Sequence, residues 1–180
     1  VSLFPESITA LREVIMEKRP HVMITQSPHL TSRNGMAVRM PDDHEETAFM
    51  SLEARGRAAT ATAGDTVAPH TIAAVYYPGV YYQNDEFDFV VDISDWFEKR
   101  VAAEDKYRSQ GHYPAWSRKR MEVSLGNVGW FGGTMYGEGF VRDKTELLSK
   151  ITVAESALRR ASEPVGDHYE RMVGERPPAD

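Results

Sequence analysis

Short apolar, β-branched runs alternate with helical-period segments along the first half of the chain, and that alternation leaves few folds open. Ser7 can cap a helix whose apolar positions Ile8, Leu11 and Ile15 recur at helical spacing, and Arg19-Pro20 stops it. "HVMIT" (21–25) follows at once and reads as a buried strand. Residues 26–40, with Pro28, Asn34 and Gly35, carry no periodicity and read as a long loop, a length that compact domains mostly reserve for function. Asp43 opens a second helix, with Glu46 placed as in a capping box and Ala48, Phe49, Leu52 and Ala59 as its apolar stripe. "TIAAVYY" (71–77) and "FDFVVDI" (87–93) read as two further strands, and Ser94 starts a strong helix containing Trp96, Phe97, Val101 and Ala102. Helix and strand in alternation predict an α/β layered fold.

The remainder is less regular. Residues 116–125 read as a short helix, and residues 143–160 as a final amphipathic one. Between them "GNVGWFGGTMYGEGF" (126–140) holds six of the chain's 13 glycines, and two readings stand. One is close backbone approach to a ligand or a neighbouring chain; the other is an irregular packed loop. The stretch follows a helix and lacks the dinucleotide-binding spacing, so it is neither that fingerprint nor a P-loop. Residues 1–161 are expected to form one α/β domain, followed by a loose tail at 162–180 rich in proline.

Composition narrows the function. A formal net charge of −6, with scattered basic residues, excludes a non-specific polyanion binder. With no cysteine there is no disulfide framework and no thiolate chemistry, which fits a cytoplasmic setting. No apolar run approaches the roughly 20 residues of a membrane span, and no signal-peptide pattern opens the chain, so neither nucleic acid nor membrane is an expected partner.

Among the six histidines, His44 stands out in "RMPDDHEETAF" (39–49). At the first turn of a helix the macrodipole keeps imidazole neutral, which is its metal-binding form. The neighbouring Asp42, Asp43, Glu45 and Glu46 either orient that ring or simply cap the helix. His29 lies in the loop after a predicted strand, where α/β folds place their sites.

Five stretches, in order, carry a family resemblance: "LREVIMEKRPHVMITQSP", "DDHEETAFMSLEAR", "AAVYYPG", "VVDISDWFEKRVAAEDKYRSQ" and "MYGEGFVRDKTELL". Together they resemble the middle and C-terminal parts of the zinc-dependent PIG-L/LmbE deacetylase family, over residues 8–148. The resemblance implies a Rossmann-like fold with a mainly parallel sheet and one zinc at the C-terminal ends of the strands. It implies hydrolysis of N-acetyl groups on small molecules, or, in some relatives, hydration of an unsaturated dicarboxylic acid. By the same resemblance His44 is the zinc ligand from the family's later motif, with Asp43 orienting it.

The departures are specific. The family's early His-Pro-Asp-Asp motif, which brings two ligands and the general base, does not occur in these 180 residues. Pro41 stands where the family often has the histidine credited with stabilising the oxyanion, and His29 is the candidate to replace it. The reconciliation expected is that this chain lacks the first strand-helix unit of the fold and that a complementary N-terminal segment or chain supplies the other ligands. The resulting site would be an amide hydrolase, with Tyr136, Glu138 and Arg142 as substrate-side groups. The alternatives are a hydratase, for which Arg33 and Arg39 are the carboxylate-binding candidates, and a non-catalytic partner subunit without metal. An oligomer is expected, because a sheet edge left open is normally covered.

Overall fold

The computed structural model describes residues 5–28, 43–78 and 87–173, which form two compact units. The first unit comprises residues 1–90 and 138–144, and the second comprises residues 91–137 and 145–180.

In the first unit, helix α1 (Pro5–Lys18) leads to strand β1 (Val22–Ile24), and helix α2 (Asp43–Ala58) leads to strand β2 (Ala74–Pro78). α1 stops at Arg19, which takes a left-handed φ of 49° without being glycine. Its guanidinium compensates by donating to the carbonyls of Ala68 and Pro69, and Pro20 ends the helix. β1 and β2 pair in parallel, Val22 opposite Ala74 and Ile24 opposite Tyr76, so β1-α2-β2 is a crossover unit. The core joins Ile8, Ile15 and Met16 of α1 to Ala54 and Ala58 of α2 and to Ile72, Val75 and Tyr77. The buried face of α2 is Ala48, Ser51, Ala54 and Ala58, and Phe49 is exposed. Small side chains let α2 pack closely, and that outweighs the larger stripe the sequence suggests. Arg12 fastens this unit by a two-pronged pair with Asp65, at 2.9 and 2.6 Å.

The sheet order is β1-β2-β4-β3, with β3 spanning Phe89–Asp92 and β4 spanning Gly137–Arg142. β4 runs antiparallel to β2, so the sheet is mixed where a mainly parallel one was expected. Two glycines and two charged residues dilute the β pattern of "GEGFVR", which hides this strand from a periodicity reading. Gly139 is required there: a Cβ would run into the ring of Phe87.

In the second unit a 3-10 turn (Ser94–Trp96) precedes helix α3 (Phe97–Glu104), and helix α4 runs from Pro114 to Gly132. Phe97 and Val101 pack on Met121 and Leu125. α4 extends through half of the glycine-rich stretch, which is therefore neither an irregular loop nor, at Gly129, an opening for a ligand. A Cβ on Gly129 would stand 2.7 Å from the carbonyl oxygens of Thr134 and Met135. Gly133, with φ of 71°, then turns the chain, and the Thr134 N–H donates back to the Gly129 carbonyl at 2.9 Å. The single helix expected over 143–160 is absent. Residues 143–154 are irregular, and two short helices follow, α5 (Glu155–Ser162) and α6 (Val165–Val173). The second of these buries His168. Among the described residues no helix is long and apolar enough to cross a membrane.

Candidate functional site

A crossover helix runs antiparallel to the strands it joins, so the first turn of α2 lies toward the C-terminal ends of β1 and β2. That turn holds Asp43 and His44. The Asp43 carboxylate meets His44 Nδ1 at 2.9 Å, and the Thr47 hydroxyl donates to the Asp43 carbonyl at 2.5 Å. The Asp43 carboxylate thus orients the imidazole. With Nδ1 engaged by a carboxylate, the nitrogen that would meet a metal is Nε2. The histidine side chain is 32% exposed.

One imidazole could supply at most one ligand of a metal centre. Among the described residues no three His, Cys, Asp or Glu side chains are grouped to hold an ion. A catalytic zinc takes three protein ligands and keeps a fourth position for water. The described residues therefore do not fit a complete zinc site by themselves.

The other predicted residues fall in several places. His29, Arg33 and Arg39 lie outside the described residues. Glu138 and Arg142 sit on β4, in the same unit as Asp43 and His44. The Arg142 guanidinium lies 5.4 Å from the centre of the Phe89 ring, and its backbone N–H donates to Asp88 at 2.6 Å. Tyr136 belongs to the second unit, where its ring stacks on Phe97 with centroids 3.8 Å apart and planes within 14°.

Two polar clusters escape a reading by motif. In the first unit the Tyr77 hydroxyl donates to Asp143 at 2.5 Å and Arg55 donates to the other carboxylate oxygen at 2.7 Å. Burial alone would push the Asp143 carboxyl up; the bonds from Tyr77 and Arg55 hold it below the usual carboxylate range. Arg55 lies about 16 Å along the axis of α2 from His44. The cluster thus pins the far end of the helix that presents His44. In the second unit Asp92, the last residue of β3, accepts from the Ser94 hydroxyl at 2.7 Å and the Ser94 N–H at 3.0 Å. The Ser94 hydroxyl also lies 3.0 Å from the Thr134 hydroxyl. Ser94, which opens the helical run as the sequence suggests, is also tied to the strand before it.

The remaining described histidines with resolved partners are structural. His70 Nε2 bonds the Pro20 carbonyl at 2.7 Å, His112 faces Glu104 at 3.1 Å, and His168 meets Glu163 at 2.8 Å.

No protein-family model and no curated protein matches the chain. Solved structures do. A conserved protein from Thermus thermophilus superposes with a TM-score of 0.65 at 22% identity, over 85% of this chain and 65% of its own. The 4-carboxy-2-hydroxymuconate hydratase of Pseudomonas putida gives 0.62 at 16% identity, over 83% and 62%. The N,N'-diacetylchitobiose deacetylase of Pyrococcus horikoshii gives 0.59 at 20% identity, over 78% and 52%. The chain shares their fold. It spans between about half and two thirds of the length of each, so a substantial part of their architecture has no counterpart in this sequence. One of these neighbours is named for deacetylation and another for hydration, and a single scaffold therefore carries both kinds of chemistry.

Proposed function

We propose that this chain is part of a small-molecule hydrolase that cleaves N-acyl amides, N-acetyl groups foremost, and that His44 is one ligand of its zinc. The observation that carries this reading is the Asp43–His44 pair at the head of the crossover helix. A carboxylate holding a histidine's Nδ1 is the usual outer support of a metal-bound imidazole, and this end of an α/β sheet is where such folds place their chemistry. The shared fold with a diacetylchitobiose deacetylase supports the substrate class.

In this reading Asp43 fixes the ring, and Arg55, Asp143 and Tyr77 fix the helix that presents it. Glu138 and Arg142 contact the substrate, and His29 takes the place of the oxyanion-stabilising histidine that Pro41 displaces. The remaining zinc ligands come from a complementary N-terminal segment or chain. A hydratase is the second reading, favoured by Pro41 and by the fold shared with a muconate-type hydratase. Arg33 and Arg39 would then bind the carboxylates of an unsaturated diacid.

The test uses the protein with whatever chains co-purify. Metal content measured by mass spectrometry should show zinc in the wild type and its loss in His44→Ala; unchanged zinc would sink the assignment. Turnover of an N-acetyl amino sugar supports the hydrolase, whereas turnover of an unsaturated dicarboxylate alone replaces it with the hydratase.

A further inference from the structure

Among the described α-helices α5 alone buries no residue, and every side chain from 151 to 162 is exposed. Without tertiary packing a helix of 8 residues is marginal in water, where isolated helices need about 12–15. It opens at little cost. Its last residues read Leu158-Arg159-Arg160-Ala161-Ser162, so two arginines stand three and two positions ahead of an exposed hydroxyl. No other serine or threonine in the sequence has arginine at both of those positions. The Ser162 hydroxyl donates to the Arg159 carbonyl at 3.0 Å on the solvent side. Glu163 then leaves the helix in an extended conformation, with φ of −92° and ψ of 141°, as the residue before a proline prefers. The hydroxyl thus stands where helix gives way to extended chain.

We infer that Ser162 is a phosphorylation site, read by a serine kinase that selects its substrates through paired arginines. Such an enzyme binds the segment ahead of the acceptor in extended form and grips each guanidinium with carboxylates, in the two-pronged geometry that arginine favours. Unwinding the last turn of α5 presents Arg159 to Ser162 in that form and breaks no core contact. Glu163, the acid next to the acceptor, is already occupied: Arg171 donates to it at 2.8 and 3.2 Å, and His168 meets it at 2.8 Å. Its charge is neutralised within the fold. In the transfer Ser162 Oγ bonds to the γ-phosphorus of ATP as the bond from that phosphorus to the β–γ bridging oxygen breaks. The hydroxyl proton passes to the kinase's aspartate, and ADP leaves.

The position gives the phosphate an effect. It lies at the C-terminal end of α5, where the macrodipole disfavours an anion, and beside the like charge of Glu163. Its oxygens also compete with Glu163 for Arg171. The Glu163–Arg171–His168 group is the clasp of α6, whose one buried residue, His168, sits against the turn at Gly133, where a Cβ would meet its ring at 3.7 Å. Phosphorylation weakens that clasp and loosens α6.

The test incubates the full chain with magnesium ATP and the catalytic subunit of cyclic-AMP-dependent protein kinase, and locates the product by peptide mass spectrometry. One phosphoryl group is expected on Ser162, and Ser162→Ala should remain unmodified. The double variant Arg159→Ala/Arg160→Ala keeps the acceptor, and its kcat/KM should fall on the order of a hundredfold, because two charge-assisted bonds are lost. Both arginines are exposed, so its circular dichroism spectrum should match that of the wild type. The site is overturned if the wild type stays unmodified while an arginine-directed reference peptide in the same mixture is converted. Phosphate on another residue instead, or equal modification of the double variant, would overturn it too. In the phosphorylated protein the amides of residues 165–173 should exchange hydrogen faster than in Ser162→Ala treated alike; unchanged exchange would overturn the loosening of α6.

Discussion

Two glycines three residues apart in α4 should respond to alanine with opposite signs. Any Gly→Ala change inside a helix gains about 1 kcal/mol from the lower conformational entropy of the unfolded chain. At Gly126 the nearest atom to a new Cβ is the Met135 carbonyl oxygen, 4.0 Å away, so that gain survives and the variant should be stabilised by about 0.5–1 kcal/mol. At Gly129 the same methyl would sit 2.7 Å from two backbone oxygens and 2.9 Å from the Met135 carbonyl carbon. Backbone cannot swing aside as a side-chain tip can. Overpacking of this kind costs about 1–3 kcal/mol, and displacing the turn also strains the Thr134-to-Gly129 hydrogen bond, worth about 1 kcal/mol. The net expectation for Gly129→Ala is a loss of about 1–3 kcal/mol. Guanidinium unfolding followed by tryptophan fluorescence reads both variants, since Trp116 and Trp130 lie on this helix. A Gly129→Ala protein as stable as the wild type would show that residues 134 and 135 do not press on the helix, and the packing account of this glycine would fail.

Tyr77→Phe removes a hydrogen bond to a carboxylate but leaves Arg55 on Asp143, so it should cost about 1–2 kcal/mol in chemical denaturation with the fold retained. Glu163 receives Arg171 and His168, and the bond from Arg171 above all holds it down to about 2 from an ordinary 4.5. A depressed carboxylate stabilises the fold above its unfolded value and loses that contribution as pH falls through the folded one. Thermal stability should therefore decline between about pH 4.5 and 2, and Glu163→Gln should flatten that decline. Glu104, 3% exposed, gathers Arg100, Arg120 and His112. Because both arginines keep access to water, Glu104→Gln should cost about 1–3 kcal/mol rather than the full penalty of stranded buried charges, measurable by the same denaturation curves.

Much of the architecture follows from local pattern. The helix ending at Arg19-Pro20, the short strand after it and the helix opening at Asp43 are all readable from periodicity and stop signals, because each depends on neighbours within a few residues. The position of His44 at a helix mouth is legible for the same reason, and so is its proximity to Asp43. What local pattern could not show was pairing between distant segments. β4 lies beside β2 and runs against it, although four of its six residues are glycine or charged; its strand state comes from the ladder it completes. The glycines at 129 and 133 look like loop, but one is a contact point for backbone five residues on and the other a left-handed turn. The Arg55–Asp143–Tyr77 cluster joins residues 66 and 88 positions apart, and only the folded chain brings them to one point. Sequence by itself determined where α1 ends, where α2 opens and that His44 stands in the first turn of α2, since those are local energies. Tertiary structure alone decided the direction of the strands, the side on which each helix is buried and which charges meet, because those depend on surfaces that exist only once the chain has closed on itself.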